Sequence, residues 1–420
     1  MIKKLLYFSI ATSFFAAQIF TINLSVFQLS LFRASVLVVP IMLALYMLKY
    51  SSGISLMTYK SNRYSIKFMI LWLLYSFISI LWVNDYGSAM RSLYFIISGV
   101  ICTLLFSIFF KQENHYKIII KIFVTMIFLH NLIGWYEIIT RDYRFLSLEN
   151  KIYYSSITKG IPISMLGNPN DFATLTLFGI VISIIAHQIF RTKPIRFVSK
   201  ALFVSNIILL FTTNSRANIL GLFIGIVVLV MILRKKKSTI LVGMFIILIL
   251  SLLAIQGDII NIINAKFRHI ITFDFNTQNL NSDSTRLNLI KNGVHFLKST
   301  YGFGTGVGNI EYWMENKSIF PTRGVTNIHN WWMEILVGYG IGIFILYISF
   351  YYKLFKDMLT IYKNTSSSIN KNIALGFLLF MASFTIASLS SSSNIAKEWL
   401  WVFWSVCIAF QGYAMNKSDE

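Results

Sequence analysis

The sequence predicts an all-α fold. It reads as a polytopic transmembrane bundle of about 12 helices, with a large helical extracytoplasmic loop between the ninth and tenth. Three observations lead there. Hydrophobic residues make up 56% of the 420, charged residues only 13%, and mean hydropathy is +0.67. Soluble domains carry about 25% charged residues, so this much apolar surface requires lipid as its solvent. The apolar residues come in runs long enough to span, since a spanning helix needs roughly 20. Finally, the basic residues cluster in every second gap between those runs.

Spans are expected near 5–23, 27–48, 66–83, 89–110, 118–138, 171–190, 197–212, 217–233, 239–256, 330–352, 372–390 and 396–414. The first follows Met1-Ile2-Lys3-Lys4, and a second apolar run comes almost at once. That succession favours an uncleaved span over a signal peptide. With the N-terminus cytoplasmic, Lys49, Lys60, Arg63 and Lys67 fall inside, as do Arg191, Lys193, Arg196 and Lys200, and also Arg234 to Lys237. The positive-inside rule then puts both termini in the cytoplasm of a bacterial cytoplasmic (inner) membrane. Residues 1–256 hold spans one to nine and include an outer loop at 139–170. Residues 257–328 form the large extracytoplasmic loop, and 329–420 hold the last three spans. Within the large loop, Ser282-Asp283-Ser284 is suited to cap a helix running to about Ser299, with Leu287, Ile290, Val294 and Leu297 on one face.

The net charge of +21 does not imply nucleic-acid binding. The cations are spread over membrane loops and form no continuous basic face. Cys102 and Cys407 lie inside apolar runs and give neither a disulfide framework nor a metal spacing. No HExxH, Walker, EF-hand or nucleophile-elbow pattern occurs, so the sequence calls for no cofactor and no catalytic metal.

The even-numbered helices run from outside to inside, and polar residues gather at their starts. Arg33 opens the second and Arg91 the fourth. Asn168-Pro169-Asn170-Asp171 opens the sixth, Asn214-Ser215-Arg216 the eighth, and His329-Asn330 the tenth; Lys397 precedes the twelfth. Helix N-termini carry partial positive charge and free N–H groups, and arginines add to both, which suits a large anionic ligand. Arginines at such depths also snorkel to lipid head groups. His130 and Glu137 share a face of the fifth span, where ionisable groups are functional by default. Glu137 is near enough to a helix end to meet water. Glu334 reads equally as a catalytic carboxylate or a structural hydrogen-bond partner, about 140° around a helix from His329. The alternating Gly302, Gly304, Gly306 and Gly308 read as a flexible turn.

Four segments, taken together, resemble a family. Thr213-Asn214-Ser215-Arg216-Ala217, with Gly221 in the run that follows, is similar to the "S-R-small" helix entry of O-antigen ligases and Wzy-type polymerases. Ser284-Thr285-Arg286 with Gly302–Asn309 resembles the family's "R…GxGxGN" stretch. His329-Asn330-Trp331-Trp332-Met333-Glu334-Ile335-Leu336 resembles its "HN…LE-L…G" motif, though Gly340 and Gly342 stand closer than the usual G-x-x-G. Asn168-Pro169-Asn170-Asp171 is a further match. The flavour is that of Gram-positive capsular or teichuronic-acid-type polymerases.

The resemblance implies an inverting, metal-independent glycosyltransferase that polymerises undecaprenyl-pyrophosphate-linked repeat units outside the membrane. Arg216, Arg286 and His329 would be catalytic. Arg33, Arg91, Asn170, Asp171, Asn330 and Glu334 would bind substrate. Partners would be the lipid-linked glycan, membrane lipids, and the flippase and chain-length regulator of the same pathway. One alternative is ligase-type transfer to another acceptor. A different class would be a lipid-linked-sugar transporter, though no related halves or midplane breaks are visible. A non-catalytic assembly subunit is the third reading.

Overall fold

The computed structural model describes residues 2–18, 22–23, 28–50, 59–145, 160–233, 282–391 and 393–417. The expected ninth span, 239–256, and much of both long outer loops lie outside the described residues. The helices are α1 (Ile2–Thr12), α2 (Leu31–Tyr50), α3 (Arg63–Ser79), α4 (Tyr86–Phe109), α5 (Glu113–Thr140), α6 (Pro169–Ile189) and α7 (Lys193–Thr212). They continue with α8 (Arg216–Leu233), α9 (Ser282–Ser299), α10 (Ile310–Asn316), α11 (Trp331–Asn364), α12 (Ser368–Ala387) and α13 (Glu398–Asn416). A two-residue antiparallel pair, Ile22–Asn23 with Gln28–Leu29, joins α1 to α2. Eight helices among the described residues are long and apolar enough to cross a membrane. The protein is a multi-pass membrane helix bundle.

Local chemistry sets the helix starts. Asp85 caps α4 by accepting from Ser88 N at 3.1 Å, and Asn168 caps α6 by accepting from Asn170 N at 2.8 Å, with Pro169 in the first turn. Ser367 caps α12. Helix α11 was expected to end near 352 but continues to Asn364. Leu354, Met358 and Ile361 stay buried beyond the expected end, and Lys353 pairs with Asp357 one turn on, at 2.9 Å.

Lipid and protein divide the apolar residues. Leu81, Ile41, Leu45 and Leu74 are exposed on the outside of the bundle, as lipid permits. At the centre, α13 is buried from Glu398 to Ala414 and packs along α4. Among helices already in lipid, close van der Waals contact and hydrogen bonds hold the bundle together, so small residues mark interfaces. Gly99 of α4 lies against the Trp401 ring; a Cβ there would sit 2.7 Å from Trp401 Cδ2. Gly221 of α8 meets α12 so closely that a Cβ would stand 2.6 Å from the Ser383 carbonyl.

The glycine run departs from expectation. Gly302 to Gly308 is not a loose turn but a strap laid against a break in α11. Thr305 N donates to Val337 O at 2.8 Å, Gly306 N to Gly338 O at 3.0 Å, and Ile341 N to Gly302 O at 2.9 Å. Gly340 has φ 78° and ψ 175°, outside helical space, which exposes the carbonyls that the strap uses. Both chains must be bare: a Cβ on Gly304 would lie 2.6 Å from Gly340 N. Tyr75 Oη, Trp82 Nε1 and Ser79 Oγ of the α3 end fix the strap further.

Helix α9 forms where the cap signal puts it, yet its buried stripe differs. Leu289, Asn292, Gly293 and Phe296 face inward, onto Met314, Ile328 and Val337, while Val294 is exposed. A buried asparagine moves the stripe: Asn292 Oδ1 accepts from Ile319 N and Phe320 N and its Nδ2 donates to Phe320 O, satisfying a loop backbone that would otherwise be unpaired.

Candidate functional site

The starts of α2, α6, α8, α11 and α13 meet at one end of the bundle. Contacts between them tie that end together. Arg33 Nε pairs with Glu398 Oε1 at 2.7 Å, and Lys397 Nζ with Asp171 Oδ2 at 2.5 Å. Ser215 Oγ donates to Asn170 Oδ1 at 2.7 Å. Asn218 Nδ2 donates to Ser215 Oγ, and Thr174 Oγ1 to Asn218 Oδ1. Trp331 N donates to Ser388 O, at the end of α12.

His329 stands at this end, two residues before α11. Its φ of 49° is left-handed, which a β-carbon-bearing residue holds only when its surroundings enforce it. Asn327 Oδ1 accepts its backbone N–H at 2.9 Å, and Asn330, next in sequence, caps α11 by accepting from Trp332 N and Met333 N. The imidazole is therefore fixed from both sides by the main chain. Its Nδ1 is buried and makes no hydrogen bond among the described residues. Burial pushes its pKa below the usual histidine value. The cations of Arg286 and Lys397 push the same way, and the Asp171 carboxylate opposes them. The ring is neutral near pH 7, with a nitrogen free to accept a proton.

The expected site residues separate into groups. His329, Arg286 and Asp171 come close enough for their charges to be felt by one another, and Lys397 joins them. Asn170 is spent on the α6–α8 junction, and Asn330 on its helix cap. Arg216 opens α8 with its side chain exposed and pairs with no described residue. Arg33 is buried: Glu398 and the Gln28 carbonyl take its guanidinium, which also lies 5.4 and 5.2 Å from the Tyr94 and Phe95 rings. These contacts lock α2 to α13 and α4, in place of the substrate contact expected of it. Because His329 precedes the α11 cap, the helical-wheel angle between it and Glu334 has no meaning. Glu334 instead accepts from Ser393 Oγ and from Asn394 N at 3.1 Å. It lines a cavity of about 150 Å³ with Arg91.

His130 and Glu137 form a separate cluster. The Glu137 carboxylate accepts from Ile163 N at 2.8 Å and Ser164 N at 2.7 Å, so it serves as a clasp for the chain entering α6. Sequence reasoning put Lys397 in the same set of helix starts as His329 without giving it a role, and passed over Asn218 and Thr174 as network members. Each is a lone polar residue next to or within an apolar run, the one signal available for them.

An apolar helical bundle with a charged polar cluster at one end of its helices defines a multi-pass membrane protein. Residues 201–348, which include Arg216, Arg286 and His329, match the family model described as "O-Antigen ligase". The chain is also 28% identical over 419 residues to the teichuronic acid biosynthesis protein TuaE of Bacillus subtilis (strain 168), covering 97% of this chain and 84% of that one. The chain is thus similar to the O-antigen ligase family over residues 201–348, and to a teichuronic acid biosynthesis protein along nearly its whole length.

Proposed function

We propose that the chain is a glycosyltransferase of the O-antigen ligase type, which moves a glycan from a lipid pyrophosphate onto an acceptor hydroxyl. The observation that carries this reading is the buried, unpartnered Nδ1 of His329, within reach of the charges of Arg286, Lys397 and Asp171. In the proposed step the acceptor oxygen attacks the anomeric carbon as its proton passes to His329. The C1–O bond to phosphate breaks on the opposite side, the configuration inverts, and the lipid pyrophosphate leaves with the bonding pair. Arg286, Lys397 and the exposed Arg216 stabilise the growing negative charge; arginine suits this because it stays protonated and forks onto phosphate oxygens. The pyrophosphate linkage supplies the driving force.

The active end faces away from the cytoplasm in this reading, as the basic loops at the other end suggest. In this reading the outer segment before α11, described from Ser282 to Ile328, covers the glycan. The description of the matching model favours transfer to a distinct acceptor over polymerisation. A second reading, extension of the glycan on its lipid, draws on the similarity to a teichuronic acid biosynthesis protein along nearly the whole chain. The flippase and chain-length regulator would be partners in that case. Purified protein incubated with an undecaprenyl-pyrophosphate oligosaccharide tests both. Lipid pyrophosphate release with the glycan on a new acceptor supports the ligase, and a longer lipid-linked glycan supports the polymerase. Movement of the lipid across a vesicle without bond formation would overturn both.

A further inference from the structure

The His329 cluster leaves a second set of polar groups at this end unused. Beside it lies the cavity of about 150 Å³, bounded by the start of α4, the first turns of α11, the Gly308–Glu311 corner and the 393–396 segment. Tyr339 lines it. That residue is 1% exposed, and its ring packs edge-on against Trp72 at 5.4 Å. Its hydroxyl has no hydrogen-bond partner among the described residues. Buried hydroxyls are almost always paired, so an unpaired one on a residue that lines a polar cavity marks a place for a ligand. Glu334, on the same wall, takes one protein hydrogen bond on each oxygen. Each oxygen therefore keeps a lone pair for another donor. Glu311 is present too, held by Asn327 Nδ2 at 3.2 Å.

This lining suits a sugar better than a pyrophosphate. Its two carboxylates outnumber its one cation, Arg91, and together they offer hydroxyls both acceptors and donors, while Phe95 with Tyr339 offers aromatic surface to the C–H face of a ring. Cavities of about 150 Å³ admit a single six-membered ring. Position suggests which sugar. Asn327 and Ile328 line the cavity and lead directly into His329, so the cavity adjoins the segment that carries the imidazole.

We infer that this cavity is a pyranose subsite for the terminal sugar of the acceptor, with Tyr339 and Glu334 hydrogen-bonding its ring hydroxyls. The inference rests on the transferase reading above for the word acceptor, but the binding itself can be measured without turnover. Detergent-purified protein without lipid donor is titrated with glucose, galactose and N-acetylglucosamine and followed by saturation-transfer NMR. At least one sugar is expected to bind, and Tyr339→Phe to weaken it about tenfold. That substitution keeps the ring and removes only an unpaired hydroxyl, so folding is preserved. Glu334→Gln should weaken the same sugar. In the transfer assay Tyr339→Phe should raise the acceptor KM and leave the donor KM alone. No binding of any of the three sugars by protein that turns over lipid donor would overturn the subsite and spare the transferase. A raised donor KM instead would overturn the acceptor assignment. Sugar binding lost in Tyr339→Phe, in protein that never releases lipid pyrophosphate, would support the subsite and sink the transferase.

Discussion

The chain contains the dipeptide His-Asn twice, at His130-Asn131 and His329-Asn330, and the two could hardly be used more differently. The first lies inside α5. His130 Nε2 donates to the Phe14 carbonyl at 3.0 Å, which leaves Nδ1 to accept from Ser164 Oγ at 2.8 Å. Asn131 bonds the Ile127 carbonyl, Asn206 and Ser205. Every polar atom of that histidine ring is occupied, and the pair sews the turn after α1, α5, α7 and the α6 entry together. The second lies at a backbone break before a helix. Its asparagine is used up as a cap, while its histidine ring keeps a buried nitrogen without a partner. A buried polar group that is fully bonded stabilises; one that is left open is available for chemistry. The same two residues thus become a staple or a site according to whether the main chain around them is saturated.

That contrast can be broken experimentally. The largest expected effect is on His329. His329→Ala should reduce glycan transfer by roughly 10²–10⁴-fold, as loss of a general base does, with no change in the amount of folded protein. A variant with near-normal transfer would make His329 a bystander. His130→Ala should do the reverse. It strands the Phe14 carbonyl and the Ser164 hydroxyl, and should destabilise the protein by about 1–3 kcal/mol in a thermal melt in detergent. The fraction that remains folded should transfer at the normal rate. If catalysis fell further than folding, the fifth span would belong to the site.

Smaller effects sharpen the comparison. Asn330→Ala removes the α11 cap and should cost about 1 kcal/mol of thermal stability. A modest fall in kcat should accompany it as His329 loses its neighbour's anchorage. The least conspicuous effect concerns pH. Burial, then Arg286, then Lys397 hold the His329 pKa below its ordinary 6.5, so kcat/KM should stay level through neutrality and fall only on the acid side of that value. Arg286→Gln removes one of the lowering charges, so its acid limb should move up in pH. Asp171→Asn removes the raising charge and should move the limb down. A limb that ignored both variants would detach the titrating group from this cluster.

The comparison also marks how far the sequence could be read. Apolar runs and alternating basic gaps are local, and they located α3 to α8, α12 and α13 and the start of α11 to within a few residues. The grouping of helix starts at 33, 171, 216, 329 and 397 was equally legible, because consecutive spans must alternate in direction. Partner choice was not. Arg33 and Asp171 looked alike as polar residues at helix starts, yet Glu398 takes the first and Lys397 the second, from more than 200 residues away in the chain. The glycine run and Gly340 looked unrelated, and became one joint.

By itself, then, the sequence determined the solvent, the helices and the end of the bundle where charge would gather, since each follows from hydrophobicity and chain direction along a single segment. Tertiary structure alone decided which of the gathered groups are spent on one another and which remain open. Whether a donor finds an acceptor depends on distances of about 3 Å between segments far apart in sequence, and no pattern within one segment records those distances.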